Sequence, residues 1–156
     1  MAGPRVAPAG EWGHTVLEAG GRRCRCGGRG CVEAYVGAGA LARTCPPGDP
    51  EVAVARLAEA VRQGDSTALE TLGRFARSLG VALAGFVNVL NPELIVFGGW
   101  VSAVLGEPLV SAVTPVIKEY ALAPCFEAVT AVLGRHQGNP VSLGMAVLAF
   151  ETHLLD

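Results

Sequence analysis

Three cysteines crowd into the segment Cys24-Arg25-Cys26-Gly27-Gly28-Arg29-Gly30-Cys31, and a histidine, His14, stands a short way upstream. No other feature limits the local fold as tightly. Three thiolates and one imidazole make a complete tetrahedral ligand set for zinc. Gly27, Gly28 and Gly30 allow the sharp turns that would carry Cys26 and Cys31 to one ion. Zinc held by three thiolates and a neutral imidazole carries a net charge of about −1 and keeps no position for water, so its expected role is structural. A disulfide framework would spread an even set of cysteines along the chain. Here the count is odd, with Cys45 and Cys125 isolated. Two other readings stand beside zinc. One is that these are ordinary buried or surface thiols. The other is a zinc module whose Arg22, Arg23, Arg25 and Arg29 meet the phosphates of a nucleic acid. Against the latter, such a charge run is commonly a solvated loop, and no aromatic residues interleave with it to stack bases.

The rest of the chain is unusually apolar. Of its 156 residues 51% are hydrophobic and 17% charged, and the mean hydropathy is +0.41. Such a chain buries ample apolar surface, which excludes intrinsic disorder. The longest apolar stretch, Leu79 to Leu90, is interrupted by Asn88 and is too short to span a bilayer, so no membrane partner is expected. A net charge of −2 excludes a global basic field. Met1 to Gly10 contains one Arg and two Pro and no apolar segment, so no secretory signal is read there, and a cytoplasmic setting is expected.

Residues 1–32 lack periodicity and are expected to form a loop region. Residues 33–156 read as a single α/β lobe. Val32, Tyr35, Val36, Ala40 and Leu41 recur at helical spacing, predicting one helix from Glu33 to the Cys45-Pro46-Pro47-Gly48 segment. Asp49-Pro50-Glu51 predicts a second helix, ending at Gln63-Gly64. Asp65-Ser66 opens a third, with an apolar stripe from Leu69 to Leu90. Glu93 to Phe97 is short, apolar and partly β-branched, the pattern of a buried strand that runs into Gly98-Gly99. Leu105 to Tyr120 reads as a helix kinked or broken at Pro115, Phe126 to Leu133 as a second strand, and Val141 to Leu154 as a last helix opened by Gly138-Asn139-Pro140. Two strands are too few for a self-sufficient sheet.

Ala9-Gly10-Glu11-Trp12-Gly13-His14, followed by Cys24-x-Cys26-Gly27-x-x-Gly30-Cys31-x-Glu33, resembles the signature of the ROK family of repressors, open reading frames and sugar kinases. Asn91-Pro92-Glu93-x-Ile95-Val96-x-Gly98-Gly99 and Val141-x-Leu143-Gly144-x-Ala146 resemble later segments of the same family. The resemblance implies the C-terminal lobe of an actin-like, ribonuclease-H-like fold with the ligand in a cleft. It implies zinc on His14, Cys24, Cys26 and Cys31, and a monosaccharide or amino sugar on Glu11, His14 and Glu33. Carboxylates accept hydrogen bonds from paired hydroxyls and so suit a pyranose. Without the flanking motif, Glu11 and Glu33 would read as solvated acids, Glu33 one near a helix start. In family kinases the Gly98-Gly99 segment lies beside ATP; a plain tight turn is the equal alternative. Trp12 belongs either to the cleft wall or to local packing.

The phosphate loop and Asn-Asp pair of the family kinases have no counterpart in this sequence. A catalytic residue is therefore not expected here, and the chain is expected to be the C-terminal part of a larger protein, with ATP and magnesium relevant only if that protein is a kinase. Gly10 to Thr15 and Gly98-Gly99-Trp100 resemble the family's transcriptional regulators more than its glucokinases. A sugar-sensing regulator, dimeric and reaching DNA through a helix-turn-helix outside this sequence, is thus the favoured expectation, ahead of a glucokinase-type lobe.

Overall fold

The computed structural model describes residues 10–44, 49–134 and 140–154; the segments around Cys45 to Gly48 and Gly138-Asn139, where the sequence marks a helix end and a helix start, lie outside them. Two parts are evident. A glycine-rich knuckle, opened by a 3-10 turn at Trp12–His14, precedes a body of helices around one parallel strand pair.

The knuckle leads into α1 (Glu33–Val36) and α2 (Ala38–Ala42). The sequence predicts one helix here; the structure breaks it at Gly37, whose ψ of 154° is extended. The break fits a glycine closely. A Cβ on Gly37 would lie 2.7 Å from the Glu33 carbonyl oxygen and 2.8 Å from Glu33 Oε1. The next two helices follow the sequence signals. In α3 (Pro50–Arg62) the Asp49 side chain accepts from the Glu51 amide at 2.8 Å, satisfying an orphan donor of the first turn. In α4 (Ser66–Leu90) Asp65 does the same for the Ala68 amide, and Asn91 ends the helix in the left-handed region at φ 46°.

β1 (Leu94–Phe97) pairs in parallel with β2 (Thr130–Leu133), Leu94 opposite Thr130 and Phe97 opposite Leu133. Between them run α5 (Gly99–Leu105), α6 (Glu107–Tyr120) and α7 (Ala123–Ala128). Two predictions are corrected here. The break falls at Gly106, not at Pro115: α5 and α6 meet at 102°, and Gly106 takes φ 64° and ψ −150°, a region open essentially to glycine alone. Helix α6 runs on through Pro115, which is exposed, as is Ser111, so water can replace the donor that the Ser111 carbonyl loses. The second correction concerns Phe126 to Ala128, which are helical rather than strand. Pro124 in the first turn of α7 presets the helical φ, and only the β-branched Thr130 to Leu133 segment pairs with β1.

One apolar cluster joins α2 to α6 and Phe97, with Val54, Val87, Val113, Leu109 and Ile117 almost fully buried. Helices α4 and α6 approach so closely that a Cβ on Gly80 would lie 2.5 Å from the Val116 Cβ. Along β1 and β2, Ile95, Phe97, Ala131 and Leu133 pack on this core, whereas Leu94, Val96 and Val132 are exposed. The last helix, α8 (Pro140–Leu154), exposes Leu143, Met145, Val147, Leu148 and Phe150. Among the described residues no single helix is long and apolar enough to cross a membrane.

Candidate metal and ligand site

The knuckle is built by backbone hydrogen bonds between its two arms. The Leu17 and Glu18 amides both donate to the Gly30 carbonyl, the Gly30 amide donates to Arg22, and the Cys24 amide donates to Gly28. Gly27 and Gly30 both turn at positive φ, 92° and 77°. At Gly30 nothing larger fits, because a Cβ would meet the Glu18 carbonyl oxygen at 1.7 Å. Tyr35 braces the outside. Its hydroxyl accepts from the Arg22 amide and donates to the Glu18 carboxylate, and its ring lies 4.7 Å beneath the Arg22 guanidinium. Burial, and then the Glu18 hydrogen bond, push the Tyr35 phenol above its ordinary range.

Inside this frame the His14 nitrogen and the sulfurs of Cys24, Cys26 and Cys31 all lie within 4.8 Å of one another. Cys26 Sγ is 3.7 Å from Cys31 Sγ, and Cys24 Sγ is 3.7 Å from His14 Nδ1. A disulfide needs sulfurs about 2 Å apart. Tetrahedral zinc with Zn–S bonds of about 2.3 Å needs sulfurs roughly 3.8 Å apart. The donor set therefore fits a tetrahedral soft-metal site and not a disulfide. The thiols are also set in contrasting surroundings. The Gly28 backbone donor, followed by the neighbouring thiols, lowers the Cys26 thiol, while burial, followed by contacts with Cys26 and Cys24, pushes Cys31 up to about 11.

The residues that the family resemblance matches to sugar ligands lie near the knuckle's opening turn. His14 turns Nδ1 to Cys24, which leaves Nε2 directed to Glu11, 3.9 Å from its Oε2. Glu33, the first residue of α1, brings its Oε2 against the backbone of Gly13, within 3.5 Å of where a Cβ would stand. Glu11 thus neighbours the His14 ring, and Glu33 neighbours Gly13. Trp12 packs edge-on to Phe86 of α4, ring centroids 6.0 Å apart. Gly98 and Gly99 lie elsewhere, at the C-terminal end of β1, where Gly98 stands beside Gly134. Gly99 turns at φ 82°, as a tight strand-to-helix turn requires.

Two features escape the sequence. The Glu18–Arg22–Tyr35 brace is hidden because Tyr35 sits in an apolar stripe; its hydroxyl, which seeks a partner when part-buried, is the available signal. The second is an ion pair from Arg25 Nη2 to Glu33 Oε1 at 3.2 Å, joining the knuckle to α1. A groove of about 460 Å³ on the Tyr35 side, lined also by Leu41 and Phe75, includes none of Glu11, His14 and Glu33.

A family model for the ROK family matches residues 4–152. The chain belongs to the ROK family. It is 35% identical over 127 residues to a glucokinase of Thermotoga maritima, covering 72% of this chain and 40% of that enzyme. To a xylose repressor of Bacillus spizizenii it is 28% identical over 152 residues, covering 95% of this chain and 38% of the repressor. A solved ROK hexokinase from Thermus thermophilus superposes with a TM-score of 0.74 at 30% identity, over 92% of this chain and 48% of that one. The chain therefore resembles part of the sugar-kinase fold of that hexokinase and spans about two fifths of the length of the two curated relatives. Kinases and repressors both stand among them.

Proposed function

We propose that this chain is a zinc-braced, monosaccharide-binding part of a ROK protein, with Glu11, His14 and Glu33 as the sugar ligands and His14, Cys24, Cys26 and Cys31 as the zinc ligands. The observation that carries this is the two-sided placement of His14, Nδ1 toward Cys24 at 3.7 Å and Nε2 toward Glu11. Zinc on Nδ1 leaves the proton on Nε2 and fixes the ring, so that Nε2 donates toward a sugar oxygen. Glu11 and Glu33 accept from the hydroxyls of the ring. Zinc supplies structure and no reaction chemistry, since all its positions are taken by protein.

The parent we favour is a sugar-sensing transcriptional regulator, because Gly10 to Thr15 and Gly98-Gly99-Trp100 resemble the family's regulators. A kinase lobe is the second reading, favoured by the 35% identity to a glucokinase, with Gly98 and Gly99 then facing the nucleotide. Under either reading the chain by itself binds sugar without phosphorylating it. Glu33→Gln tests the assignment. The variant is expected to bind glucose on the order of tenfold more weakly, the loss of one charge-assisted hydrogen bond, with zinc content unchanged. Loss of zinc together with sugar would make Glu33 a support of the loop, and sugar phosphate formed from ATP would overturn the non-catalytic reading.

A further inference from the structure

Two of the knuckle's sulfurs lie side by side in unlike settings. Cys26 is exposed and Cys31 buried, and their sulfurs stand 3.7 Å apart. The backbone holds the two residues differently as well. Cys31 is bridged antiparallel to Val16, and its neighbour Val32 donates to the Thr15 carbonyl at 2.9 Å. Cys26 instead sits in a turn closed by the Cys24 amide on the Gly28 carbonyl and by the Gly27 amide on the Cys24 carbonyl. Gly27, Gly28 and Gly30 are three of the four residues between the two cysteines. A Cβ on Gly28 would stand 3.4 Å from Cys26 Sγ and 3.5 Å from Cys31 Sγ, and glycine leaves that space to the sulfurs. Cys24 is a poorer mate for Cys26. It is separated from Cys26 by Arg25 alone, and its sulfur lies 3.7 Å from His14 Nδ1.

A disulfide would draw these sulfurs from 3.7 Å to about 2 Å, a distance that an exposed side chain on a glycine-flanked turn can cover. Coordination keeps Cys26 as the thiolate, the form that attacks an oxidant. We infer that Cys26 and Cys31 are a modification site for hydroperoxides, which oxidise the pair to a disulfide and so release the zinc. The inference rests on the zinc reading above. In the first step the Cys26 thiolate attacks one oxygen of hydrogen peroxide. An S–O bond forms, the O–O bond breaks and hydroxide leaves, so Cys26 becomes a sulfenic acid. The Cys31 thiolate then attacks the Cys26 sulfur, forming the S–S bond and displacing a second hydroxide. The peroxide gains two electrons, one from each sulfur, and two protons from the buffer turn the hydroxides into water. Only His14 and Cys24 of the four ligands remain, too few for a closed tetrahedral site.

The test treats the zinc-loaded chain with a small excess of hydrogen peroxide. A chromogenic chelator reads the zinc released, and tryptic mapping without reduction reads the disulfides. Cleavage after Arg23, Arg25, Arg29 and Arg43 puts the three cysteines on separate peptides, 24–25, 26–29 and 30–43. Peptides 26–29 and 30–43 are expected to be joined and about 2 Da lighter than the two thiol peptides together, the two hydrogens lost on oxidation. About one zinc is expected to be released per disulfide. A dithiol followed by added zinc is expected to restore the starting state. Cys125→Ser, a change in the helical body, is expected to leave all of this unaltered. Peptide 24–25 joined to 26–29, a disulfide between two chains, or a sulfinic acid on Cys26 without a disulfide overturns the inference. So does zinc that stays bound, whether or not a disulfide forms. Each of these leaves the zinc reading standing. A chain that takes up no zinc before peroxide is added overturns that reading and this inference together.

Discussion

In the helical body one apolar cluster runs from Leu41 to Ile117, whereas the knuckle buries together only Cys24, Cys31 and Ala34, with Tyr35 against them. The two regions therefore hold their shapes by different forces. In the body, α4 and α6 exclude water from Val87, Leu109, Val113 and Ile117, and each large side chain buried there contributes roughly 1.5–3 kcal/mol. The knuckle has backbone bonds between short arms, the Tyr35 brace and a ring of ligand atoms within 4.8 Å of one another. A loop so poor in apolar contacts stays fixed only if something replaces the missing core, and metal binding is folding energy in such a place. Under the proposed function the difference also bears on ligand binding, since the knuckle carries Glu11, His14 and the zinc ligands and leads into Glu33.

Metal removal should separate the regions most widely. A strong chelator is expected to lower the melting temperature and to collapse the amide exchange protection of residues 14–31, while the protection of α4 and α6 persists below the transition. Uniform loss of protection across both regions would show that they fold as one unit. A cavity in the body should do the reverse: Leu109→Ala, at a side chain 1% exposed, is expected to cost about 2–5 kcal/mol of stability by chemical denaturation with zinc content retained. Gly30→Ala comes next. Its φ of 77° and the 1.7 Å approach of a Cβ to Glu18 O force the arms apart, for more than about 1 kcal/mol and with weaker zinc binding in a chelator competition. Unaltered zinc affinity in that variant would mean that the ligand cluster does not depend on the arm pairing.

The same contrast governs what the sequence discloses. Helices α3 and α4 are legible to the residue because local chemistry ends them, Asp49-Pro50 and Asp65 at their starts and Asn91 at the close of α4. The His14, Cys24, Cys26 and Cys31 cluster is legible because few side chains bind soft metals and their spacing along the chain is short. The break at Gly106 is missed because Pro115 is the louder signal, although Glu107-Pro108 repeats the Pro-in-first-turn pattern that marks α3. At α7 the β-branched run masks Pro124 in the same way. Glu33 enters the proposed site only through family resemblance, as an isolated acid at a helix start has an ordinary electrostatic reason to be there. Its ion pair with Arg25 depends on the fold of the knuckle and has no periodic signature.

The central claim is that zinc in the knuckle is what makes the sugar surface. It is tested most directly by metal analysis combined with glucose titration of the same sample before and after chelation and again after zinc is restored. One zinc per chain is expected, with glucose binding lost on chelation and recovered with zinc. Glucose bound equally well by metal-free protein that melts at the same temperature would contradict the account.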